Sequence, residues 1–148
     1  MTHASRNTKT GLAFEDRTHI SSTGIDVSKN KLYTYLKQHS IKWEDFLSRK
    51  LLPDEAYIED DILYVYEKKF QQTKGSADEK LQTCGFKIQQ FRKIGAALGL
   101  KQVYYTYILS DWFEQPKYQD VLDYIQSVPG CDYQIIKEAK QCPKTLDT

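Results

Sequence analysis

Between Pro53 and Phe70 the spacing of apolar residues changes from about 3.6 to 2, the mark of a chain passing from helix to strand. Ala56 and Ile58 alternate with polar neighbours, Glu59, Asp60 and Asp61 interrupt, and Leu63 and Val65 resume the alternation within a β-branched and aromatic run. The pattern predicts a hairpin turning at Asp60 and Asp61. Strand pairing then follows by counting outward from the turn: Ile58 faces Leu63, Ala56 faces Val65, and Asp54 faces Glu67. Side chains alternate along a strand, so these six share one face, and Lys69 joins them two residues beyond Glu67. Two carboxylates and an ammonium thus meet at the end of an otherwise apolar stripe.

The rest of the chain supplies what such a hairpin needs to fold. With 148 residues there is room for one core, and 40% hydrophobic with 28% charged residues is the balance of a globular protein. The expected folded unit spans 8–138, with 1–7 and 139–148 as flexible termini. A first helix runs through Leu12, Phe14, Glu15 and His19. Leu32, Tyr33 and Leu36 mark a second, and Trp43, Phe46 and Leu47 a third before Pro53. Leu81, Cys84, Ile88, Phe91, Ile94 and Leu98 predict one long amphipathic helix, capped by Ser76 with Glu79 completing a capping box. Gln102 to Leu109 is apolar enough for the interior of a sheet, Tyr118 to Ile125 is helical, and Tyr133, Ile135 and Ile136 suggest a last strand. A single crossover from the Glu67 strand to the Val103 strand makes those two parallel, in a mixed sheet with helices on both faces.

No window approaches eighteen apolar residues, and Met1 to Thr10 lacks a signal-peptide core, so no membrane association is expected and the expected location is cytoplasmic. A net charge of +1 confines any basic surface to a local patch. Cys84, Cys131 and Cys142 are too widely spaced for a local zinc motif and read as reduced thiols.

Asp54 and Glu67, held close together, repel each other unless a divalent cation lies between them, and oxygen donors favour Mg²⁺. Few protein ligands leave room at such an ion for water and a phosphate oxygen. Lys69 would orient or help deprotonate that water, or neutralise charge on a phosphorane-like transition state. The competing reading is a structural ion pair at the frayed end of a hairpin.

Pro53-Asp54, followed at the end of the next strand by Glu67-Lys68-Lys69, resembles the PD-(D/E)XK nuclease superfamily, most nearly its type II restriction endonucleases. Tyr66 to Phe70, then Gly75-Ser76, a long helix and a buried strand from Val103 are similar to that family's catalytic strand, crossover helix and next strand. The likeness covers roughly 53–109, and the remainder by element order only. It implies a restriction-endonuclease-like α/β fold, a mixed β-sheet core of αβββαβ type flanked by helices. The family core has three strands before the crossover, and Gly24 to Val27 is the one stretch before Pro53 that offers another.

By this resemblance the chain is an endodeoxyribonuclease using Mg²⁺, with Mn²⁺ able to substitute. Asp54, Glu67 and Lys69 are catalytic, Asp54 and Glu67 bind the metal, and Glu15 on the first helix stands where members place a further acidic ligand. Double-stranded DNA would be the partner, a homodimer would match a palindromic target, and a cognate DNA methyltransferase would accompany a restriction enzyme. Lys68, Lys74, Lys80 and Lys87, with Arg92 and Lys93, are candidate phosphate contacts, individually also readable as solvated helix residues. Recognition loops would come from 20–50 and 110–130. Trp112 and Phe113 fit a hinge loop, a dimer contact or a DNA wedge, and Tyr64, Tyr66, Tyr104, Tyr105 and Tyr107 fall in predicted strands. Two other readings compete: a structure-selective nuclease such as a junction resolvase or repair nuclease, and a non-catalytic DNA-binding or interaction module on the same fold.

Overall fold

The computed structural model describes Phe14 and residues 18–71 and 75–137. Strand β1 (Ile25–Asp26) leads to helix α1 (Lys31–Gln38) and a 3₁₀ turn at Trp43–Asp45. Strands β2 (Glu55–Glu59) and β3 (Ile62–Lys69) follow, then helices α2 (Ala77–Leu81) and α3 (Cys84–Ala97), and strand β4 (Gln102–Ser110). After 3₁₀ turns at Asp111–Glu114 and Pro116–Tyr118, helix α4 (Gln119–Ser127) and strand β5 (Cys131–Ile136) complete the described elements. The strands form one open mixed sheet in the order β1-β2-β3-β4-β5.

The hairpin has the expected register, with Ala56 opposite Val65 and Ile58 opposite Leu63. Asp60 and Asp61 both take left-handed backbone (φ 53° and 65°), the geometry a two-residue turn needs to match the twist of its strands. Gly24 to Val27 does contain a strand: β1 pairs antiparallel with β2, so three strands precede the crossover. Beyond it β3 and β4 are parallel, as are β4 and β5, and β4 is an interior strand.

Strand alternation divides the sheet. Ala56, Ile58, Leu63, Val65, Val103, Tyr105, Tyr107 and Leu109 point to one face, where they join Leu32 and Leu36 of α1, Ile88, Phe91 and Ile94 of α3, and Leu122 and Ile125 of α4 in one buried cluster. The helices described in full therefore supply this one face. The reverse face carries Tyr57, Tyr64, Tyr66 and Tyr104 and is met near its Lys68 end by the segment around Phe14 and Ile20. Thr18 closes a helical turn on Phe14 through its N–H and hydroxyl, but most of the predicted first helix lies outside the described residues.

Two helices differ from expectation. The predicted long helix is broken at Gln82–Thr83, where the Thr83 hydroxyl donates to the Lys80 carbonyl (2.7 Å) and supplies a local alternative to continued helical bonding. Ser76 precedes α2 but its side chain makes no capping bond, so the capping box is not formed. The third predicted helix is only the three-residue 3₁₀ turn at Trp43. No helix among the described residues is long and apolar enough to cross a membrane. Cys84 and Cys131 are buried free thiols, as expected; Cys142 lies outside the described residues.

Candidate active site

Asp54 and Glu67 meet at the position next beyond the last backbone-paired residues of the hairpin, Glu55 and Tyr66. Side chains take over there from the ladder. The Asp54 N–H donates to Glu67 Oε2 (3.2 Å), and the Lys68 N–H donates to Asp54 Oδ2 (2.8 Å). Each carboxylate is thus fixed by a backbone donor of the opposite strand. Lys69 Nζ lies 4.0 Å from Glu67 Oε1, on the same face. The three residues singled out by the hairpin register are together.

Their electrostatics are unfavourable as they stand. Burial, reinforced by the charge of Asp54, pushes the Glu67 carboxyl up to about 7, while Lys69, the Asp54 N–H and Lys87 pull it back only in part. The charge of Lys87, on α3, is near enough to act on Glu67. Lys29 Nζ stands 3.8 Å from Asp54 Oδ1. It sits in left-handed backbone (φ 48°), with its N–H bonded to the Pro53 carbonyl (2.8 Å). Beside Asp54 a cavity of about 490 Å³ is lined by His19, Ser28, Lys29, Glu55 and Lys68, among others.

Lys68 requires a correction. Pleat alternation turns its side chain to the reverse face, where it is almost fully buried and paired with Glu55 instead of being offered to a phosphate. Glu55 also accepts bonds from the Tyr57 hydroxyl (2.6 Å) and the Ile20 N–H (3.0 Å), with His19 Nδ1 at 3.2 Å. Burial works to raise its pKa, yet Lys68, Tyr57 and Ile20 outweigh it and hold the carboxyl below its usual range. Lys80 and Lys93 are exposed, and Arg92 is engaged by the Pro129 carbonyl (2.8 Å). Glu15 and Lys74 lie outside the described residues.

Sequence reasoning missed Lys29 and the Glu55–Lys68 pair. The latter did leave a trace, since Glu55 and Tyr57 alternate with Ala56 and Ile58 and so must occupy the reverse face of the same strand.

No protein-family model matches the chain, nor does any curated protein or solved structure. The site is read from its own chemistry. Two carboxylates, one with a raised pKa, are an oxygen donor set that suits a hard divalent cation, which would relieve the repulsion between them. Among the described residues no group of three His, Cys, Asp or Glu side chains is placed to hold an ion.

Proposed function

We propose that this chain is a metal-dependent nuclease hydrolysing phosphodiester bonds in DNA, with Asp54, Glu67 and Lys69 as its active site. The observation that carries the reading is the opposed Asp54 and Glu67, where burial and then the charge of Asp54 raise the Glu67 pKa to about 7 and leave a place for positive charge. Three strands, a crossover and a parallel fourth strand, the order implied by resemblance to the PD-(D/E)XK nucleases, support it further.

In this reading Asp54 and Glu67 hold Mg²⁺, which supplies Lewis acidity toward a phosphate oxygen. The Asp54 and Lys68 N–H groups keep both carboxylates aimed, so little reorganisation accompanies binding. Lys69, beside Glu67, carries a positive charge to where the attacking water or the phosphoryl oxygens would lie.

Incubation of the purified protein with supercoiled, linear and branched DNA in Mg²⁺ or Mn²⁺ tests the proposal. Wild type should cut, and Glu67→Ala or Lys69→Ala should lower the rate by roughly 10²-fold or more. Failure of wild type to cut any of these substrates in either metal would remove the nuclease reading and leave a non-catalytic module. Preference for four-way junctions over every linear sequence would instead select the structure-selective enzyme over the restriction type.

A further inference from the structure

We infer that the cleft between α1 and the Trp43 turn is a binding subsite for the DNA strand flanking the cleaved bond. It takes its direction from the nuclease reading of Asp54 and Glu67, and it stands on separate residues.

The first argument is charge. Residues 29–50 hold six basic side chains, Lys29, Lys31, Lys37, Lys42, Arg49 and Lys50, against two acidic ones, Glu44 and Asp45. Lys31 is paired with Asp26 (2.8 Å) and Lys29 faces Asp54, so Lys37, Lys42, Arg49 and Lys50 carry the local positive patch that a polyanion requires. Lys37, Lys42 and Lys50 line a single cleft of about 960 Å³, a volume at the upper end of the roughly 300–1,000 Å³ usual for binding sites. Glu44 and Asp45 share the lining and leave the cleft net positive.

The second argument is the floor of the cleft. Tyr33 and Trp43 pack edge to face (centroids 6.2 Å apart), and the Lys50 ammonium stands 5.0 Å from the Tyr33 ring and 5.8 Å from that of Trp43. Trp43 is only half-buried, and Lys50 above it is exposed. A nucleobase stacking on Trp43 would take the place of the ammonium, which would then meet the adjoining phosphate; one motion satisfies both partners.

The third argument is position. Asn30 lines the cleft, and its neighbour Lys29 is the residue beside Asp54. The Tyr33 hydroxyl donates to the Leu51 carbonyl (2.7 Å) and accepts from the Leu51 N–H (2.6 Å), three residues before Asp54. The Lys29 N–H is tied to the Pro53 carbonyl. These bonds tie the cleft to the segment that carries Asp54, so a strand with a phosphate near Asp54 would pass Lys29 on its way to Trp43.

Fluorescence anisotropy of a labelled duplex with a single-stranded extension, in EDTA, tests this without any cleavage. Wild type should bind. Lys37→Gln and Lys50→Gln should each weaken binding and lower the slope of log affinity against log salt by about 1, and Trp43→Ala should weaken it roughly 5-fold or more. Lys101→Gln, an exposed charge at the start of β4, serves as the control and should bind as wild type does. Absence of binding by wild type, or equal effects at Lys37, Lys50 and Lys101, overturns the inference. Thermal melts exclude unfolding of the Trp43 variant, and the two surface lysines decide the matter if it does not fold. Wild type that binds through this cleft but cuts nothing in Mg²⁺ would remove the nuclease reading and leave the subsite.

Discussion

Glu67 is the residue at which the proposed chemistry and the stability of the fold pull in opposite directions. Its folded carboxyl, at about 7, holds a proton more tightly than the same group in the unfolded chain at about 4.5. The folded state accordingly gains nothing from this group below that lower value. It then loses stability as pH rises between the two, and stays penalised above about 7. Glu67→Gln removes the penalty. Without metal it should melt with wild type at pH 4 and be about 1–3 kcal/mol more stable at pH 8, read from denaturant curves. If Asp54 and Glu67 hold Mg²⁺ as proposed, Mg²⁺ should stabilise wild type at pH 8 and leave this variant unchanged. A variant less stable than wild type at both pH values would show that the Glu67 carboxylate is no strain on the fold. Lys69 and Lys87 ease the burden on Glu67 without lifting it, which leaves room for the cation that the proposed function calls for.

At the level of elements the hairpin was legible because its register rests on strict alternation ending in two turn-forming aspartates. Asp60 and Asp61 adopt left-handed backbone at a cost that glycine does not incur. The double substitution Asp60→Asn with Asp61→Gly should stabilise the protein by about 1 kcal/mol in urea unfolding with the register unchanged. A loss of stability would mean that the aspartate side chains do more than fill the turn. The helices were less legible. Apolar spacing from Leu81 to Leu98 is unbroken on paper, but a single hydroxyl at Thr83 captures the Lys80 carbonyl and divides the element. The 3₁₀ turn at Trp43 is shorter than its apolar residues suggest. These side chains reach the core from a loop, a possibility that periodicity cannot distinguish from a helix. Lys68 was misplaced for a simpler reason: a run of Glu-Lys-Lys reads as surface charge, whereas a strand sends alternate members through to opposite sides.

For the whole molecule the distribution of layers bears on assembly. One face of the sheet is covered by α1, α3 and α4, while the other leaves Tyr104 exposed and Tyr64 and Tyr66 half-buried. Under the proposed nuclease reading one active site per chain would cut one strand, so cleavage of both strands would call for two chains. Sedimentation of this 17.3 kDa chain with uncleaved duplex in Ca²⁺ should give two copies per duplex. A single copy would restrict the activity to nicking. The two sides of the sheet are also less independent than their contents suggest. One residue of β3 holds Asp54 by its backbone and is itself anchored through its side chain to Glu55, on the opposite side. Asp54 and Glu55 are thereby tied to one residue, so substituting Tyr57 or His19, which both contact Glu55, is expected to shift Asp54 through Lys68. In the nuclease reading the reverse side would then set how closely Asp54 is aimed, and through His19, Glu55 and Lys68 it also lines the cavity beside that carboxylate.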